Sequence, residues 1–329
     1  MIRFAATVLI LASLAAADDR HLGTIDFYGY TGLDLNQLRA ALPYHEGDPL
    51  PSKQALREAG PAYAKAAGRD RVEMETICCQ PDGRWALFVG FADPGAPPLV
   101  FHPQPKGNMR LPAEALKVSQ DSDRLNSEGV KKGVAGEDDS KGYSLSEYEP
   151  ARAMQLKLRE YARAHVGVLL SVLESCPVDQ ERAAAAEALG YADESRRQIA
   201  GLVRSSLDPD DEVRNNAIRA LGVLVEFDPK TLKQIPLRPY VALIYSIDWS
   251  DRNKTAALLD SFTKSRDPEV LRTLRSEALV PLREIAQWRS SGHSESAITV
   301  LGRIAGIDDN RIIDLILAHN IAPILEAVR

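Results

Sequence analysis

Six histidines, three cysteines and a scatter of carboxylates are the residues of this 329-residue chain best suited to catalysis or metal binding. His21, His45, His102, His165, His293 and His319 include no pair at the i, i+4 spacing that sets two imidazoles on one helical face for zinc. There is no Cys-x-x-Cys, no phosphate-cradling glycine loop and no Gly-x-Ser-x-Gly elbow. Cys176 and His165 make one thiol–imidazole candidate, but no third group to orient the imidazole is apparent, so Cys176 reads as a buried thiol. Asp121-Ser122-Asp123 opens like a calcium loop. It then fails, because Leu125 and Asn126 replace the third ligand and the glycine, and Lys132 replaces the terminal glutamate. Glu137-Asp138-Asp139 reads as a solvated acidic loop. No catalytic residue, metal ligand or cofactor is assigned. Adjacent Cys78 and Cys79 read as two small apolar residues at a strand end, with a strained vicinal disulfide as the open alternative.

Charge narrows the partners. The chain carries a formal net charge of −6, and residues 151–329 hold 24 basic and 25 acidic side chains. No segment is a basic platform, so nucleic-acid binding has no electrostatic support. At the start, Arg3 precedes the apolar run Phe4–Ala17, which ends in Ala15-Ala16-Ala17 before Asp18-Asp19-Arg20. That order is expected of a secretory signal peptide cleaved after Ala17. The mature chain is then exported, periplasmic or secreted, with no integral membrane span, since no other apolar run approaches the ~18 residues a span needs.

Two sets of elements must position whatever site exists. In the first, residues 18–100, Thr24–Tyr30 predicts a strand, and Asp34 caps a helix marked by Leu35, Leu38, Ala41 and Leu42. Ser52 opens a second helix reaching Ala67, Val72–Cys79 is a strand, and Pro81-Asp82-Gly83 turns into the strand Trp85–Phe91. Ile25, Phe27, Leu38, Leu42 and Leu56 are expected between the layers of this small β-α-α-β-β module. Residues 101–150 read as a connector: beyond a short helix over Pro112–Val118, the stretch Ser119–Ser146 is polar and poor in apolar residues, and is expected to be a flexible loop.

The second set, residues 151–329, repeats. Asp179–Ala185, Asp211–Ala217, Asp251–Ala257 and Ser291–Ala297 share a pattern whose last alanines lie 32, 40 and 40 residues apart. Leu189-Gly190, Leu221-Gly222 and Leu301-Gly302 fall in phase, and the third copy is degenerate with Ser261-Phe262 there. Arg214 is placed to reach acidic or carbonyl groups at the repeat turn. Arg152–Ser175 is a long capping helix, and second helices are expected over Ser195–Leu207, Thr231–Ser246, Pro268–Arg289 and Arg311–Ala327. One hairpin cannot bury its own apolar face, so the copies must stack.

The pattern Asp208-Pro209-Asp210-Asp211-Glu212-Val213-Arg214…Ala217…Ala220-Leu221-Gly222 resembles HEAT-like repeats. The order of Ile25…Phe27…Gly29, Leu35–Leu42, Glu46-Gly47-Asp48-Pro49-Leu50 and Asp82-Gly83 resembles the POTRA fold of outer-membrane assembly and transport proteins, without the β-barrel that usually follows. The expected fold class is therefore α+β, a small module followed by an all-α, armadillo-like superhelical array. The HEAT resemblance implies a protein-binding scaffold, with second helices lining the binding side. Arg196, Arg197, Arg204, Arg272, Arg275 and Trp288 are the candidate contacts. The POTRA resemblance implies peptide binding at a sheet edge, or a role as an accessory to envelope assembly. An enzyme or enzyme subunit acting on an exported substrate is the competing reading. Partner identity and oligomeric state are not encoded in any motif.

Overall fold

A computed structural model describes residues 20–78, 80, 82–290 and 292–329. The expected leader over residues 1–17 and Cys79 lie outside the described residues. In the module, β1 (Leu22–Tyr28) leads to α1 (Leu35–Ala41) and α2 (Lys53–Ala66), then β2 (Val72–Ile77) and β3 (Trp85–Phe91). The helix starts follow from their caps. The Asp34 carboxylate accepts from the N–H groups of Asn36 and Gln37, and the Ser52 hydroxyl accepts from Ala55 N–H. Strand order is β1-β3-β2, with β3 parallel to β1 and antiparallel to β2.

Central β3 is buried on both faces, and strand periodicity divides its side chains. Leu87, Val89 and Phe91 join Ile25, Phe27, Leu38, Leu42 and Leu56 in a core under α1 and α2. Ala86 and Phe88, with Tyr28 of β1, point the other way and belong to the core of the helical array. The sheet is thus a shared layer, and the module is docked rather than tethered.

The segment 101–150 departs from expectation. It contains α3 (Ala113–Lys131) and a small hairpin, β4 (Glu137–Asp138) with β5 (Leu145–Ser146), and is not a flexible connector. The reason is packing geometry. The buried positions of α3 are Ala115, Ser119, Ser122 and Gly129, a seam of small residues that lets neighbouring helices approach closely. Such a helix gains order from its partners, α4 (Glu149–Ser175) and α5 (Asp179–Gly190), and composition alone reads it as a loop.

The array continues with α6 (Arg196–Ser205), α7 (Asp211–Phe227), a 3-10 turn at Pro229–Gln234, α8 (Arg238–Leu243) and α9 (Trp249–Thr263). It ends with α10 (Pro268–Glu277), α11 (Leu279–Ala286), α12 (Glu295–Ile304), α13 (Asp309–Leu317) and α14 (Ala322–Ala327). First helices α5, α7, α9 and α12 pack successively against one another. Three of the expected second helices are broken into shorter pieces. Prolines explain the restarts, since Pro239 and Pro323 occupy first-turn positions of α8 and α14, and Pro281 is the third residue of α11.

Repeat register is set by arginine. Arg182, Arg214 and Arg252 are among the largest fully buried side chains, and aligned on them the copies are 32 and 38 residues apart. Thr255, fully buried, then takes the place of Ala185 and Ala217, while Ala257 is exposed and out of phase. Leu259 takes the place of Leu189 and Leu221, so the third copy is regular and the Ser261-Phe262 alignment is corrected. Each arginine reaches forward to the next copy. Arg182 donates to Asp208 at 2.8 and 3.0 Å, and Arg214 to Asp251 at 2.8 Å and Asp248 at 2.7 Å. Arg252 donates to Glu284 at 3.0 Å. Their remaining N–H groups bind the carbonyls of Cys176, Asp208 and Ser246 at the turns. Among the described residues, no helix is long and apolar enough to cross a membrane.

Candidate partner-binding surface

Which face of the array is free depends on how the chain covers the rest. The module closes over α9 and α11 through buried polar contacts. Glu284 accepts Gly29 N–H at 2.7 Å and Tyr30 N–H at 3.2 Å as well as the Arg252 guanidinium. Burial raises its pKa, against the pull of Arg252. Asp26 accepts from the N–H groups of Arg289 and Ser290 at 3.0 Å each, and its pKa too is raised by burial, against these bonds. Tyr28 donates to Ile247 carbonyl at 2.8 Å, with Arg252 stacked 4.7 Å over its ring.

Two glycines within the module let β1 and β3 carry these groups. At Gly90, a Cβ would meet the Tyr28 ring at 2.3 Å; at Gly29, where φ is +68°, it would meet the Phe91 carbonyl at 1.9 Å. Aromatic packing completes the junction: Phe88 lies 4.9 Å from Trp288 and 5.1 Å from Trp249, and His293 sits 5.0 Å from Trp249. Burial, aided by Lys254, lowers the His293 pKa to about 4, so its imidazole is neutral.

The other end of the first-helix side is covered by α3 and the β4–β5 hairpin. Glu187 of α5 accepts from the Ser119 and Ser122 hydroxyls, and its pKa is raised by burial and by the neighbouring Asp123 carboxylate. Arg219 of α7 binds Glu137 and the Ser144 hydroxyl of the hairpin. Between the two ends, residues 99–111 run along the repeat turns, where His102 N–H donates to Leu207 carbonyl and Phe101 packs under Arg214.

The second-helix side is different. Arg196, Arg197 and Arg204 on α6 and Arg272 and Arg275 on α10 are all exposed. Arg275 has one long contact, 3.5 Å to Ile304 carbonyl, and the other four have no side-chain partner among the described residues. The sequence-predicted arginines therefore remain accessible on two helices. Trp288 does not belong with them. It is 4% exposed, donates to Phe27 carbonyl at 3.4 Å and packs on Phe88, because the sheet of the module covers it. As a free surface contact it is withdrawn.

Neither candidate for chemistry becomes a site. Cys176 is fully buried, its thiol 3.4 Å from Glu181, and burial raises its pKa. His165 marks a kink in α4 and binds its own Tyr161 carbonyl. Cys78 is disulfide-bonded, so the reading of two free apolar thiols is corrected there. The junction residues Asp26, Arg252, Glu284 and Arg289 were not singled out from sequence. Gly29 was read from sequence as the glycine ending the first strand, which does not by itself point to a junction.

No protein-family model matches the chain, and no curated protein does. Among solved structures, a computationally designed armadillo repeat protein for modular peptide recognition is 16% identical, covering 64% of this chain and 90% of its own, with a TM-score of 0.39. A designed armadillo repeat protein in complex with a (KR)4 peptide is 15% identical over 64% of this chain and 98% of its own, TM-score 0.39. An engineered protein is 17% identical over 66% and 97%, TM-score 0.40. The chain is a helical repeat protein with a small sheet at its amino-terminal side, as its own helix pairing and arginine ladder define.

Proposed function

We propose that this chain is an exported, non-catalytic scaffold that holds a protein partner on its second-helix side, with Arg196, Arg197, Arg204, Arg272 and Arg275 as contacts. One observation carries the reading: the chain's own module, α3 and hairpin cover α5, α7, α9 and α11, whereas the arginines of α6 and α10 stand exposed, four of them with no side-chain partner among the described residues. A long helical surface without a built catalytic cluster suits holding better than turnover.

A second reading uses the module. The outer edge of β1 is taken up by the turn before Leu50, through Leu22 N–H to Asp48 carbonyl and Gly47 N–H to Leu22 carbonyl. Beyond β3, β2 has no strand neighbour among the described residues. An extended peptide added there would follow the POTRA-like reading and an accessory role in envelope assembly.

The test is capture by the mature chain from an envelope extract, comparing the native protein with Arg196→Glu/Arg197→Glu and Arg272→Glu/Arg275→Glu. Loss of a stable partner in both variants supports the second-helix surface. Retention in both, with loss on Thr76→Pro in β2, moves the site to the sheet edge. Turnover of a substrate by the purified chain, abolished by one polar substitution, contradicts the scaffold reading.

A further inference from the structure

Resting on that reading, we infer that the occupant of the second-helix side is an acidic, extended polypeptide segment. Three observations on the arginines point to it. First, α6 carries Arg196, Arg197 and Arg204 and no acidic residue, within a chain of net charge −6. Second, the arginines inside the array are neutralised by carboxylates: Arg182 by Asp208, Arg214 by Asp251, Arg252 by Glu284 and Arg303 by Asp309. On α10, Glu277 is engaged by Arg238, and the exposed first-turn Glu269 forms no ion pair with Arg272 or Arg275. Unpaired guanidinium groups facing solvent are rigid donor forks shaped for carboxylates.

Third, the charge at the start of α6 differs from that of most helices of the array, although α8, α11 and α14 also lack an acid in the first turn. Helices α5, α7, α9, α10, α12 and α13 each place an acid in the first turn, where the helix dipole favours it. The first turn of α6 holds Arg196 and Arg197 and no acid. Cations there work against the free helix, and an anionic ligand lying across that turn reverses the sign of the effect.

Lys233 is exposed on the 3-10 turn between α6 and α10 in chain order. Stacked helices lie roughly 8–10 Å apart. Two steps along the array, from α6 to α10, therefore cover about 20 Å, which six or more extended residues span at ~3.3 Å each. A lone carboxylate or a small metabolite would not bridge the two groups.

Fluorescence anisotropy of the mature chain with a labelled Asp/Glu-alternating peptide of about twelve residues tests this, with a Lys/Arg-alternating peptide as the counterpart. The acidic peptide binds, with an affinity that falls as salt is raised, and the basic one does not. Arg196→Glu/Arg197→Glu and Arg272→Glu/Arg275→Glu each weaken binding by about tenfold or more. Arg57→Glu, an exposed change on α2, leaves it unaltered, and all variants melt like the native chain. Absence of acidic-peptide binding, equal binding of the basic peptide, equal loss with Arg57→Glu, or preference for a single-stranded oligonucleotide overturns the inference. Its failure is separable from that of the scaffold reading. If a captured partner shields the five arginines from labelling but its cross-linked segment is neutral or basic, the scaffold stands and the acidic occupant falls.

Discussion

At the scale of single residues, the decisive groups are those that join the module to the array. Glu284 holds two backbone N–H groups and Arg252 at once. Glu284→Ala leaves a buried guanidinium and two donors unpaired, so the expected loss is about 3–5 kcal/mol by chemical denaturation. A loss below ~1 kcal/mol would mean the carboxylate is not buried as described. Gly29→Ala strains a left-handed backbone and meets the Phe91 carbonyl, and is expected to lower the melting temperature and loosen the module in hydrogen exchange. Glu187 makes a pH-dependent contribution. Its folded pKa is raised, so the proton is held in the folded state and released on unfolding. That stability is fully present below the ordinary carboxylate pKa and is lost as pH rises through the raised value. Glu187→Gln should therefore flatten the decline in melting temperature between about pH 5 and about pH 9. An unchanged slope would remove Glu187 as its source. Arg214 was legible in sequence because its partners follow a local repeat pattern. Glu284 was not, because the backbone it binds at Gly29 lies 255 residues away.

At the scale of elements, the arginine ladder fixes the array. Arg214→Ala should cost about 3–5 kcal/mol, because Asp251 is fully buried and left without its guanidinium. Arg204→Ala on the exposed side should stay within ~0.5 kcal/mol. Similar losses for the two would show that the buried and exposed arginines have been misassigned. The strands of the module were readable from their bounded apolar runs, and the first helices from the recurrence of Ala and Leu-Gly across the copies, since α5 and α9 are buried nearly all round. Helix α3 was not, since Ala115, Ser119, Ser122 and Gly129 bury small polar or bare surfaces that local patterning cannot distinguish from a loop. Its packing predicts overcrowding: Ser122→Leu should destabilise by about 1–3 kcal/mol, measured by denaturant unfolding. A neutral result would restore the flexible connector. Register in the third repeat was misread for a related reason. Alanine is frequent enough to align by chance, whereas a fully buried arginine with a carboxylate across the repeat is not.

At the scale of the whole molecule, the chain runs back along its own array and covers one side of it. The sheet serves two cores, α3 and the hairpin seal the other end, and the arginines of α6 and α10 are left to solvent. Sequence gave access to this division only in part: it placed the arginines on the second helices, but it could not show that Trp288 lies beneath the module, since burial there depends on Phe88 and Phe27 from the far end of the chain. Arginine-specific labelling of the chain by a diketone, read by mass spectrometry with and without captured partner, examines the division directly. The account predicts that Arg196, Arg197, Arg204, Arg272 and Arg275 react in the free chain and are shielded in the complex, while Arg182, Arg214 and Arg252 are protected in both. Rapid labelling of the ladder arginines, or an unshielded set of five in the presence of a bound partner, would contradict it.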